Sequence, residues 1–336
     1  MEKIIEEINR INQRKVKNFN TFAYIASYLN NYPTLVTKEI IDDITNGDAD
    51  GEERAFISFL ANVYSENEDE VREIEKDYLS KGVKRLRTEE YSQNPFYTNI
   101  SIPNAKEGNW EFGYQSYEPY EGFVYRDIEC VEGYTEIPQV GFFSEKFSFP
   151  TVFENGVEWM AIKPNEIETM KAPLEKAKGS VLVYGMGIGY FAYMVSQKES
   201  VESVCIVERD QSVINLFSKY ILPQFPNKTK IKIVKSDAFE YAEKEMKNGG
   251  YDYVFTDLWH DVSDGVDLYV KMKKYEALCP NSHFEYWIEK SILSSIRWSV
   301  FDGIYDKVQN GTFVGTVEEI KRYLTDDYLK QLVKFI

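Results

Sequence analysis

A short apolar run, Val181-Leu182-Val183-Tyr184, breaks into glycines at three alternate positions, Gly185, Gly187 and Gly189. An apolar helical segment follows. A second apolar run, Val204-Cys205-Ile206-Val207, then ends on Glu208. Few folds accept that order. Glycines at this spacing permit a tight turn and let a ligand approach backbone N–H groups at a helix start, where negative charge is favoured. An acid at the tip of the second strand can take both hydroxyls of a ribose. The pattern is that of a nucleotide-type cofactor site at the first strand-to-helix turn of a parallel sheet.

The surrounding sequence keeps the same rhythm. Strands are expected at 181–184, 203–207, 231–234, 252–256 and near His283–Ile288, with helices between them at about 189–197, 210–221, 238–247 and 265–277. Strict alternation implies a doubly wound parallel sheet of the Rossmann-like kind. Residues 1–90 read as a helical N-terminal domain, with Ile4, Ile8 and Ile11 at helical spacing. Residues 91–163 read as a small β-rich connector, dense in Gly, Pro, Tyr and Phe. There Asn155-Gly156 sits between two apolar runs, a strong hairpin signal because both residues tolerate positive φ. Residues 164–336 are then the cofactor-binding domain with a mainly helical tail.

Charge and cysteine usage narrow the partners. A formal net charge of −16 repels phosphate backbones, which argues against nucleic acid. No stretch approaches 18 uncharged apolar residues, so no membrane span is expected. Cys130, Cys205 and Cys279 are far apart, with no metal-ligand spacing, and an odd, sparse set points to a reducing compartment, the cytoplasm. Asn46 to Ile57 imitates a calcium loop through Asp48, Asp50 and Gly51. Its twelfth position, however, holds Ile57 in place of a bidentate Glu, so a helix-breaking turn is expected and no metal.

Ligands of such sheets sit at the carboxyl ends of the strands. This chain puts the three glycines after the first strand and Glu208 after the second. Asp237-Ala238 follows the third, and Asp257-Leu258-Trp259-His260-Asp261 the fourth. Four strand ends with four polar stations resemble a class I S-adenosylmethionine-dependent methyltransferase. A nicotinamide fingerprint would want a small residue at position 190, which is Tyr190. The likeness extends to the spermidine synthase branch. There a hairpin with a tight turn precedes a helix and the glycine loop, as Asn155 to Trp159 and Asn165 to Met170 do here, and the fourth strand ends in a catalytic Asp, matched by Asp257. Asp261 or Asp264 is the match for that branch's second acid. The sequence departs from these families at three places. Ile188 stands where spermidine synthases place an Asp in the loop, Val183 where many methyltransferases place an acid, and Trp159 where the synthases carry a Gln.

What the resemblance implies is an S-adenosylmethionine site in which Gly185, Gly187 and Gly189 cradle the methionine end, Glu208 holds the ribose, and Asp237 with Ala238 meets the adenine. Asp257 and His260 would then be catalytic, with Trp259, Asp261 and Glu166 around a small neutral or cationic acceptor. Each acid also has a plainer job open to it: Glu208 as a charge at a helix start, Asp237 as a helix cap, Glu166 as surface charge. Trp259 could simply pack under the following helix. The expected activity is methyl transfer. Aminopropyl transfer from decarboxylated S-adenosylmethionine is the alternative, and a non-catalytic cofactor-binding protein is a third reading. A homodimer is compatible with all three.

Overall fold

The computed structural model describes residues 2–48 and 51–335, so Asp50 of the calcium-like turn lies outside the described residues. The chain divides into two compact units. One takes Met1–Glu90, Ser116–Phe147 and Ile296–Leu329, and the other Tyr91–Gln115, Ser148–Ser295 and Lys330–Ile336. The connector read from composition is therefore not a body of its own, and most of the helical tail does not belong with the cofactor domain.

The first unit shows why. Its 30-residue helix Glu2–Asn31 buries Ile8 and Ile11 against Phe301, Ile304, Val308, Ile320 and Leu324 of the tail. Strand Val83–Leu86 pairs in parallel with Val140–Phe143, in register Val83 to Val140, which draws the middle of the aromatic-rich segment into this unit. Phe142 of that strand stacks on Phe56 at 4.1 Å between ring centroids. Both pairings join residues far apart in sequence, so neither leaves a local periodicity. A buried ion pair lies in the same unit. Arg297, 3% exposed, donates to Glu136 at 2.7 Å and to the Leu324 carbonyl at 3.0 Å, while the Trp298 indole donates to the other Glu136 oxygen at 2.8 Å.

The second unit holds the expected sheet. Its strands are β1 (Gly179–Tyr184), β2 (Val201–Glu208), β3 (Ile231–Lys235), β4 (Tyr253–Thr256) and β5 (His283–Tyr286). All pair in parallel, in the order β3-β2-β1-β4-β5. The inner strands are continuous apolar runs, as strands covered on both faces must be. Strand order reverses beside β1, so the tips of β1, β2 and β4 flank the crevice where such sheets bind ligands. A four-stranded sheet, in the order Ala105–Glu107, Trp110–Tyr117, Phe147–Glu154, Val157–Ala161, precedes the parallel one in sequence. Its Asn155-Gly156 turn has φ of 53° and 81°, the two-residue hairpin that the dipeptide predicts. After β5 the described residues form helices Glu289–Gln309, Val317–Tyr323 and Asp326–Leu332. Among the described residues no helix is long and apolar enough to cross a membrane.

Removing one partner of a buried ion pair strands the other charge. Arg297→Met is expected to cost about 3–5 kcal/mol, read as a lower urea midpoint for the unfolding of the helical unit.

Candidate functional site

The glycine loop is built by contacts that no side chain would survive. Gly185 has φ of +92°, and a Cβ there would lie 2.0 Å from the Asp257 carbonyl oxygen. Gly189 has φ of +84°, and a Cβ there would lie 2.3 Å from the Phe217 ring. The loop is closed by Gly189 N–H donating to the Met186 carbonyl at 2.8 Å, and β4 is tied to β1 by Asp257 N–H donating to the Tyr184 carbonyl at 3.0 Å. The Met160 methyl, from the hairpin strand Val157–Ala161, lies against Gly187. The helix after the loop, Tyr190–Ser196, has seven residues.

Glu208 reaches back to that loop. One carboxylate oxygen accepts from Met186 N–H at 3.2 Å and the other from Asp210 N–H at 2.8 Å. Burial pushes its carboxyl above the usual range, against the pull of those backbone donors. Arg209 N–H acts on the same carboxylate, and three donors on four lone-pair sites leave some acceptor capacity. Asp237 is exposed and caps the helix Ala238–Lys244, accepting from Phe239 N–H at 2.9 Å and Glu240 N–H at 3.1 Å. Ala238 is buried. The turn between the antiparallel strands Ala105–Glu107 and Trp110–Tyr117 also reaches the β2 side: Asn215 donates to Glu107, and Gly108 lies against Ser212.

Beyond β4 the expected residues separate. Asp257 is partly enclosed, and desolvation pushes its carboxyl up to about 7. Glu166, read as default surface charge, is 5% exposed. Its Oε2 has no hydrogen-bond partner, and its carboxyl is held well above the usual range by burial first and by the Asp257 charge second. The charge of one acid therefore acts on the other. Asp261 and Asp264 do not join them as ligands. Asp261 caps the helix Val262–Lys273, accepting from Ser263 N–H at 2.6 Å, and Asp264 accepts from the His260 and Asp261 N–H groups. Hydrogen bonding from the Ser263 hydroxyl first, and from its N–H, holds the Asp261 carboxyl below its usual range. Trp259 is 4% exposed, is stacked on Tyr286 at 6.5 Å, and packs against Gly265 under the same helix. The His260 side chain is exposed and faces Trp159 at 6.1 Å.

Sequence reasoning placed no hairpin residue among the expected site residues. Trp159 meets Trp110 edge-on at 5.9 Å, and Glu158 pairs with Lys163 at 2.6 Å. The one available signal was position, because Asn155-Gly156 ends a hairpin just before the helix Pro164–Lys176.

A spermine/spermidine synthase domain model matches residues 164–279. That span is roughly a third of the chain and holds every candidate residue named above from Glu166 to Asp264. Residues 164–279 thus carry a spermidine-synthase-like fold of the class I methyltransferase type. The family that matches is a synthase domain and not a methyltransferase, which overturns the expectation of methyl transfer and of an S-adenosylmethionine-dependent methyltransferase. No curated protein matches. Among solved structures, the spermidine synthase of Thermotoga maritima is 20% identical over 41% of this chain and 49% of its own, with a TM-score of 0.32. A spermidine synthase in complex with the transition-state analogue AdoDATO is 19% identical over 43% and 55%, also at 0.32. A protein in the NADB-Rossmann superfamily from Streptococcus agalactiae is 11% identical over 49% and 96%, at 0.27. The chain spans about half the length of the two spermidine synthases.

Two predictions test this geometry. Gly185→Ala places a methyl on backbone that cannot yield and is expected to cost about 3 kcal/mol or more. Gly156→Ala, at a positive φ with nothing within 4 Å, should cost only about 1–2 kcal/mol. Thermal melts of the two variants make the comparison. For Asp257, the folded carboxyl keeps a proton between about pH 4 and about pH 7 that the unfolded chain has released, so stability falls as pH rises through that window and levels off above it. Asp257→Asn should therefore melt roughly 2–4 °C above the parent at about pH 8 and match it at about pH 5.

Proposed function

We propose that the chain transfers an aminopropyl group from decarboxylated S-adenosylmethionine to a small amine acceptor. The observation that carries this reading is the synthase-domain match over residues 164–279, the span that contains both the glycine loop and the two enclosed acids. The donor supplies an alkyl carbon made electrophilic by the adjacent sulfonium. What remains for the protein is to align the amine and take its proton.

The residues present fit that task. The loop Gly185–Gly189 lies at the tip of β1, and Glu208, fixed by backbone N–H groups, retains acceptor capacity for ribose hydroxyls. Asp237 with Ala238 would meet the adenine edge. Asp257 is the proton acceptor: a carboxyl near 7 is a far better base at neutral pH than an ordinary carboxylate. Glu166 adds negative charge in the same place, suited to an ammonium group. Trp159 and His260 form an aromatic edge beside the acceptor. A decarboxylated donor also lacks the carboxylate that a helix N-terminus would otherwise be asked to hold.

The assay is conversion of decarboxylated S-adenosylmethionine to methylthioadenosine in the presence of diamine acceptors. The rate should rise with pH through about 7, because Asp257 works only when ionised. Asp257→Asn should lower kcat at least 100-fold, by roughly the worth of a positioned base. Glu208→Ala should weaken methylthioadenosine binding about 10–100-fold, as expected for a charged hydrogen-bonding partner. Failure to bind methylthioadenosine, or binding with no turnover on any diamine, would remove the assignment.

A further inference from the structure

The amino-terminal end of the parallel sheet is more polar than its position calls for. A sheet face covered by a helix is ordinarily a dry, apolar contact. Here the strand register pairs Ser180 with Ser203, and Cys205 with Lys232, on the face that the helix Ala238–Lys244 covers through Tyr241. These residues, with Tyr251, line a cavity of about 300 Å³. Cys205 and Tyr241 are buried and form its inner wall. Ser180 stands five residues before Gly185, so the cavity lies about 16 Å along β1 from the glycine loop.

The lining has hydrogens to give. The Ser180 and Ser203 hydroxyls are 2.7 Å apart. The Tyr241 hydroxyl is 2.6 Å from that of Tyr251 and 3.8 Å from the Cys205 sulfur. Two hydroxyls that bond each other use one proton and keep one, and the chain Cys205–Tyr241–Tyr251 uses two protons of three. Each set therefore has one hydrogen left to donate. Beside Tyr241, edge-on at 6.2 Å, Tyr184 is fully buried with its hydroxyl unpartnered. A fold keeps polar groups in such a layer only where something offsets their lost hydration.

The cavity also carries one charge of each sign. Lys232 is the one cation in its lining and Glu245 the one acid. Both are exposed, and among the described residues neither side chain enters an ion pair or a hydrogen bond, with the other or with any third group. Lys244, next to Glu245 in sequence, is taken by Glu240 at 2.6 Å. The helix Ala238–Lys244 ends at Glu245, so its carbonyl end adds partial negative charge there.

We propose that this cavity binds a small amino acid, with the carboxylate on Lys232 and the spare hydroxyl hydrogens and the ammonium on Glu245 at the helix end. Two separated, unpaired charges of opposite sign match a zwitterion better than a simple ion. A plain oxyanion would face Glu245, and a plain amine would face Lys232. The volume is at the low end for ligand pockets and suits a compact molecule. The site is independent of the glycine loop and of the aminopropyl reading.

The test is calorimetric titration of the full chain with L-alanine, L-serine, L-aspartate, L-methionine and L-phenylalanine, each beside its N-acetyl derivative and its amide. At least one free amino acid should bind with a Kd between about 10 μM and about 1 mM. Its N-acetyl derivative lacks the ammonium and its amide lacks the carboxylate, so each should bind at least about tenfold more weakly. Lys232→Met and Glu245→Gln should each weaken the same probe at least about tenfold. Both positions are exposed, so both variants should melt within about 2 °C of the parent. Glu208→Ala, at the glycine loop, should leave this binding within about twofold. The site is overturned if none of the five binds at up to about 10 mM, if both cavity variants leave binding unchanged, or if Glu208→Ala abolishes it. Equal binding of the N-acetyl derivative or the amide, or inorganic phosphate binding as tightly as the best amino acid, overturns the zwitterion.

Discussion

The tips of β1 and β4 meet at a contact too close for any side chain. Gly185 faces the Asp257 carbonyl where a methyl group would stand at 2.0 Å, and the Tyr184 carbonyl takes the Asp257 N–H one residue earlier. That approach ties the start of the glycine loop to the tip of β4, the neighbouring strand. It sets Asp257 beside the loop with its N–H already satisfied. The loop's left-handed turns, the return bond from Glu208 to Met186 and the cover by Met160 all depend on the loop lying in that position.

Desolvation then sorts the acids. Glu166, Asp257 and Glu208 have lost water and have raised proton affinities, each with burial as the leading cause. Asp237, Asp261 and Asp264 lie at helix starts with their carboxylates on backbone N–H groups. Glu208, Asp237 and Asp257 all stand at strand tips, and a strand-tip acid can serve either purpose. The difference lies in what covers it. The hairpin strand Val157–Ala161 lies against the loop through Met160, and Trp159 extends that cover to His260.

Much of the second unit is legible in the chain. The five strands fall where apolar runs alternate with helical periods, the Asn155-Gly156 turn falls where its φ preferences put it, and Tyr190 argues against a nicotinamide loop. The roles around β4 are less legible. Asp261 and Trp259 look like ligands in one dimension and are a cap and a packing residue in three. Glu166 looks like surface charge and is buried. The middle and tail segments also mislead, because strand Val140–Phe143 finds its partner at Val83–Leu86 and the tail packs on Ile8 and Ile11.

Sequence alone therefore determined the features set by local chemistry: where glycine must stand, where strands and helices alternate, which turns tolerate positive φ, and that acids end three of the strands. Tertiary structure decided which of those acids keep their water. Periodicity records the face a residue shares with its neighbours a few positions away. Solvation depends on whatever distant segment is folded over it, as with the hairpin over Gly187 and the helix that carries Glu166.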